Sequence, residues 1–171
     1  MGTGVEKEVH TDMNRCVQQD AEQEPHFLCH QICDVFSLQE QDAKQYSPLT
    51  LAYIGDAVYE LIVRTVLVER GNAPVNTLHK HASKLVKAEA QKDSYHRIKE
   101  LLTEEELSVF RRGRNAKSYT SAKNATIGDY RVATGFEALF GYWYLTGQTG
   151  RMIAMALAGT MEEENRCDTR S

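Results

Sequence analysis

Apolar residues recur along this chain at helical spacing, and no pair of segments reads as strands. Residues 1–25 are polar, acidic and aperiodic, the composition of a disordered leader. Residues 26–45 form an N-terminal extension in which Phe27, Leu28, Ile32, Val35 and Phe36 predict one short helix. Ser47 and Pro48 then mark a helix start, a hydroxyl cap followed by a proline at the first helical position. That helix should run to about Glu69, where Arg70-Gly-Asn72 stops it. Leu51, Ile54, Val58, Leu61, Ile62 and Val66 make it apolar nearly all round, the pattern of a central, buried helix. From about Val75 to Leu102 the pattern is amphipathic, with Leu78, Ala82, Leu85, Val86 and Ile98 at its apolar positions. Thr103-Glu-Glu-Glu106 is a capping-box signature and opens a helix ending near Arg112-Gly113. Residues 113–128 have loop composition. Asp129 begins a helix that reaches Leu145 and is closed by Gly147, and a last helix covers about Gln148 to Glu162. The expectation is an all-α domain over residues 46–163, followed by a polar tail at 164–171.

Composition sharpens this picture in three places. At 171 residues and 42% apolar, the chain can bury one real core. It holds no uncharged apolar run of about 18 residues, and its first residues lack a secretion signal's apolar segment, so a cytoplasmic protein with four reduced cysteines is expected. His26-x-x-Cys29-His30-x-x-Cys33 has a zinc-like spacing, yet four ligands on one helical stripe cannot by themselves enclose a tetrahedral ion. The net charge of −4 argues against nucleic acid until its distribution is read. Residues 1–44 hold nine acids against three Lys/Arg, whereas residues 76–125 hold eleven Lys/Arg against six acids. Local basicity, rather than the total, makes a phosphate-binding surface.

Two carboxylates stand out chemically. Asp56 lies in Leu51-Ala-Tyr-Ile-Gly-Asp-Ala-Val-Tyr-Glu60 and Glu137 in Ala133-Thr-Gly-Phe-Glu-Ala-Leu-Phe-Gly141, each an acid within a strongly apolar helical stretch. Ala52 lies four residues before Asp56; Ala133 and Gly141 flank Glu137 at the same spacing, so each acid has small residues on its helix face. Neither has a cation one helical turn away. Burying a carboxylate is costly without compensation, and a divalent ion such as Mg²⁺ shared by both acids is the simplest counter-charge. Glu60, four residues after Asp56, is an auxiliary metal candidate, although Arg64 stands ready as its ion-pair partner. Arg111, Arg112, Arg114, Asn115 and Lys117, continued by Lys123 and Asn124, supply forked cations and amide donors suited to phosphates, with Gly113 permitting close backbone approach. Lys80, Lys84 and Lys87 extend that surface at helical spacing.

These motifs together resemble the ribonuclease III family. Tyr53-Ile-Gly-Asp-Ala-Val58 is similar to its signature, and Ala133-Thr-Gly-Phe-Glu-Ala-Leu-Phe-Gly-Tyr142 to its second acidic block. Leu78-His-Lys80 and Arg111-Arg-Gly-Arg-Asn-Ala-Lys117 resemble its small bacterial branch, Mini-ribonuclease III, as does the lack of a double-stranded RNA-binding domain after the catalytic unit. The resemblance spans about residues 46–162. It implies a homodimeric all-α endonuclease that hydrolyses double-stranded RNA with Mg²⁺, leaving 5′-phosphate and 3′-hydroxyl ends. It further implies a role in maturing precursor 23S ribosomal RNA, with a ribosomal protein as an additional partner. Asp56 and Glu137 match the family's metal-binding acids. Leu49, Ala52 and Thr134 stand where larger members carry further acids, which leaves fewer direct carboxylate ligands. Two rival readings use the same residues: a non-catalytic RNA-binding or ribosome-associated module, and a helical bundle acting on small phosphate-containing substrates.

Overall fold

The computed structural model describes residues 28–39, 41–117 and 126–167, with side chains as far as Thr160. The expected leader, half of the expected loop (118–125, with Lys123 and Asn124) and the end of the polar tail (168–171) fall outside the described residues, while residues 164–167 of that tail belong to the last helix. The chain divides into two units between Asp42 and Ala43. In the first, helix α1 covers Leu28–Val35, within the extension where a short helix was expected.

The second unit contains six α-helices among the described residues: α2 (Pro48–Glu69), α3 (Val75–Val86), α4 (Ala88–Ile98), α5 (Glu104–Asn115), α6 (Ile127–Leu145) and α7 (Thr149–Cys167). No described residue lies in a strand. The starts follow local chemistry. The Ser47 hydroxyl accepts from the Thr50 N–H with Pro48 at the head of α2. Thr103 and Glu106 close a reciprocal capping box on α5. Thr126 caps α6 by accepting from Asp129 N–H, so that helix begins two residues before the expected Asp129. Gly147, at φ 68°, closes α6 as anticipated.

Helix α6 is the centre of the unit. Ten of its 19 residues are buried, and α2, α4 and α5 all pack on it. The core is aromatic: Tyr59, Phe136, Phe140 and Trp143 meet edge-on or tilted at centroid distances of 4.9–5.2 Å, the geometry ring quadrupoles favour. Tyr95 stacks on Phe110 at 3.7 Å.

Three expectations are corrected. Helix α2 is not buried all round: Tyr53 is 81% exposed, and Leu61 and Val66 are also exposed, because nothing in the described unit covers the side facing away from α6. The segment from Val75 to Leu102 is two α-helices and a 3₁₀ turn, broken at Lys87, which adopts an extended ψ of 151°. The break lets α4 turn a small, polar face of Ala90, Gln91 and Ser94 into the interior, where one continuous helix would have continued the Leu/Val stripe. Finally, α5 continues through Gly113 to Asn115. Gly113 is buried, and a Cβ there would meet the Gly135 Cα and the Ala138 Cβ at 2.9 Å, so its close approach serves helix packing and not a phosphate.

Candidate active site

Helices α2 and α6 cross almost backbone to backbone. A Cβ on Gly55 would strike the Glu137 carbonyl oxygen, and one on Gly141 would strike the carbonyl of Leu51. Two glycines, one on each helix, therefore set the crossing. The acid that follows Gly55 in sequence, Asp56, and the acid at the opposing crossing point, Glu137, end on the same cavity. That cavity has a volume of about 400 Å³ and is lined by Leu49, Ala52, Tyr53, Ile54, Asp56, Ala57, Tyr130, Thr134 and Glu137. All three positions where the resemblance expects extra acids in larger enzymes, Leu49, Ala52 and Thr134, lie on its wall. Thr134 is itself buried and spends its hydroxyl proton on the Tyr130 carbonyl at 3.0 Å.

The two acids differ in environment. Asp56 is exposed at the cavity, whereas Glu137 is half-buried behind it. Burial, and then the Asp56 charge, push the Glu137 carboxyl up to about 8, opposed by the neighbouring Gln91 amide. Desolvation, and then the charge of Glu60, raise Asp56 as well. Each acid therefore lacks a neighbouring positive charge among the described side chains. Glu60 does not line the cavity; its carboxylate accepts from Arg64 Nη2 at 2.6 Å and Nε at 3.0 Å. Among the described residues, no three His, Cys, Asp or Glu side chains converge, so the cavity offers two carboxylates, and Cys29, His30 and Cys33 do not assemble a cluster.

The basic residues fall into two groups. Arg111, Arg114, Asn115 and Lys117 are exposed at the end of α5, where Gly113 packs near the carbonyl of cavity-lining Thr134. Arg112, by contrast, donates to the Tyr46 carbonyl at 2.9 Å and ties α5 to the start of α2. Lys80 and Lys84 are exposed on α3, and Lys87 bonds Glu89 at 3.1 Å.

Sequence reasoning missed two features. Glu106 is more than a cap: it is a buried carboxylate accepting from the Trp143 indole at 2.8 Å and from Arg151 at 2.8 and 2.9 Å. Gln91 is buried beside Glu137. Neither Arg151 nor Gln91 has a local sequence signal, because each meets its neighbours through helix packing.

An all-α unit with paired acids at a glycine-set helix crossing defines a class, and comparison agrees with it. Residues 49–148 match the family described as Ribonuclease III domain. Mini-ribonuclease 3 of Clostridium tetani is 54% identical over 114 residues, 66% of this chain and 76% of that protein. Mini-ribonuclease 3 of Enterococcus faecalis is 50% identical over 114 residues, 66% of this chain and 86% of that one. The crystal structure of a Fusobacterium nucleatum protein superimposes with a TM-score of 0.65 at 30% identity, covering 72% of this chain and 98% of its own. The chain belongs to the ribonuclease III family, in its Mini-ribonuclease 3 branch.

Proposed function

We propose that this chain is a Mg²⁺-dependent endoribonuclease that hydrolyses double-stranded RNA, with Asp56 and Glu137 as its metal-holding acids. The observation that carries the reading is the meeting of these two carboxylates on one cavity, both raised by burial and like charge, with no cation among the described residues that line it. An all-oxygen donor set with few protein ligands and room for water suits Mg²⁺. When bound, the ion supplies a Lewis acid for the phosphodiester and a more acidic water. The protein's part is to hold the two carboxylates at fixed separation across the crossing and to line the rest of the cavity with Tyr53, Tyr130 and Thr134. Glu60, held by Arg64, acts on Asp56 through its charge and is an auxiliary to the site. Expected products are a 5′-phosphate and a 3′-hydroxyl.

Duplex RNA is read by shape and phosphates, because its deep major groove hides the base edges. Arg111, Arg114 and Asn115 on α5 and Lys117 just beyond it, with Lys80 and Lys84 on α3, are the exposed donors for that task; Lys123 completes the set from outside the described residues, and Arg112 supports α5. The exposed apolar side of α2, with Tyr53, Leu49 and Leu61, favours a homodimer in which each protomer supplies one site. We assign the substrate in the cell to precursor 23S ribosomal RNA in the cytoplasm, with a ribosomal protein presenting it. None of the described helices is long and apolar enough to cross a membrane.

The deciding experiment is cleavage of an end-labelled RNA duplex by wild type and Asp56→Asn. Metal-dependent cutting of duplex but not of single strand is expected, reduced by more than about 100-fold in the variant, since even outer-shell partners of a metal are worth about 10–100-fold. A folded wild type that binds duplex yet never cuts it points to the non-catalytic module.

A further inference from the structure

Gln91 is 1% exposed, on the face of α4 that is turned into the interior. Neither its amide nitrogen nor its amide oxygen has a hydrogen-bond partner. An unsatisfied buried group costs about 1–3 kcal/mol, and a leucine or methionine of similar volume would avoid that cost. The amide is also well located. Helix α4 packs on α6, which carries Glu137, and Lys92, the next residue, is bonded to Asp129 in the first turn of α6 at 2.8 Å. That ion pair pins the register of α4 on α6. The Gln91 side chain faces the Glu137 carboxylate as a hydrogen-bonding neighbour that favours its charged form, although the contact falls short of closed hydrogen-bond geometry.

We propose that Gln91 is a positioning residue that steadies the Glu137 carboxylate from its buried side and leaves the cavity side free for a divalent cation. A neutral amide suits this role. An arginine there would saturate the carboxylate with positive charge and compete with the ion, whereas an aliphatic residue would remove a polar neighbour that favours the charged carboxylate. The inference rests on the assignment of Asp56 and Glu137 as metal-holding acids, and its test separates the two.

The measurement is calorimetric titration of the metal-free full chain with Mn²⁺, together with melting curves and duplex cleavage, for wild type, Gln91→Leu, Gln91→Met and Asp56→Asn. The Gln91 variants should melt at or above the wild-type temperature and bind Mn²⁺ about 10-fold more weakly. Their kcat should fall while KM for RNA stays unchanged. In a Glu137→Gln background, Gln91→Leu should cause no further loss of Mn²⁺ affinity, because its effect passes through that carboxylate. Wild-type Mn²⁺ affinity in either folded Gln91 variant overturns the proposal, as does failure of both variants to fold, which makes the amide a structural requirement. Unchanged Mn²⁺ binding in Asp56→Asn overturns the metal-site assignment itself.

Discussion

Glu106 and Glu137 are both glutamates among apolar side chains, and their surroundings drive them in opposite directions. Burial alone would raise Glu106, but hydrogen bonds from Arg151, the Thr103 N–H and the Trp143 indole overcome it and hold the carboxyl at about 2. A depressed folded-state value contributes stability above the ordinary range near 4.5 that is lost as the pH falls towards 2. Glu106→Gln should therefore lower stability at pH 7 by about 3 kcal/mol, and its difference from wild type should shrink as denaturation is repeated from pH 5 down to pH 2. Glu137, pushed up to about 8 by burial and by Asp56, carries the opposite sign. Its contribution is present below about 4.5 and lost as the pH rises through about 8, because the folded protein must then hold an uncompensated charge. Metal-free wild type should lose melting temperature between pH 5 and pH 9 relative to Glu137→Gln, and saturating Mg²⁺ should reduce that slope.

At the scale of elements, the site depends on how closely α2 and α6 approach. Gly55 lies over the backbone of Glu137, where a Cβ would also come within 2.6 Å of the Gly141 nitrogen. A methyl group there has only backbone to push against, so relief requires the helices to separate. Gly55→Ala should cost about 3 kcal/mol or more in a urea unfolding series, the upper end for overpacked sites. The same change should weaken Mn²⁺ binding, since the displaced backbone carries Glu137. Much of this level was legible in residues: Ser47-Pro48 and Thr103 to Glu106 announce their helix starts through local hydrogen bonding. The break at Lys87 was not, because no proline or glycine marks it. It exists so that the small face of α4 can pack on α6, a preference set by the partner helix.

Across the whole molecule, charge is unevenly placed, and the proposed contact with RNA rests on that asymmetry. Most of the Lys/Arg residues of 76–125 lie on α3, α4 and α5, but they are not equivalent. Lys92 and Arg112 are engaged in holding helices together, while Arg111 and Arg114 are exposed. Arg111→Ala and Arg114→Ala should each weaken duplex binding uniformly across sequences and reduce the slope of log affinity against log salt by about 1. Arg112→Ala should act first on the melting temperature. Affinity measurements at several potassium concentrations, beside melting curves, separate the two classes.

By itself the sequence determined the helical class and the capped starts of α2 and α5, and it singled out Asp56 and Glu137 as acids within apolar helices, because each depends on periodicity, local hydrogen bonds or a short motif. It also marked Glu60–Arg64 as an ion pair, which spacing along one helix dictates. Tertiary structure decided the rest. The primacy of α6 over α2, the burial of Gly113 against α6, the union of Glu106 with Trp143 and Arg151, and the unpartnered amide of Gln91 all join residues far apart in the chain. Such contacts follow from which helix faces meet, and no local pattern of side chains encodes that choice.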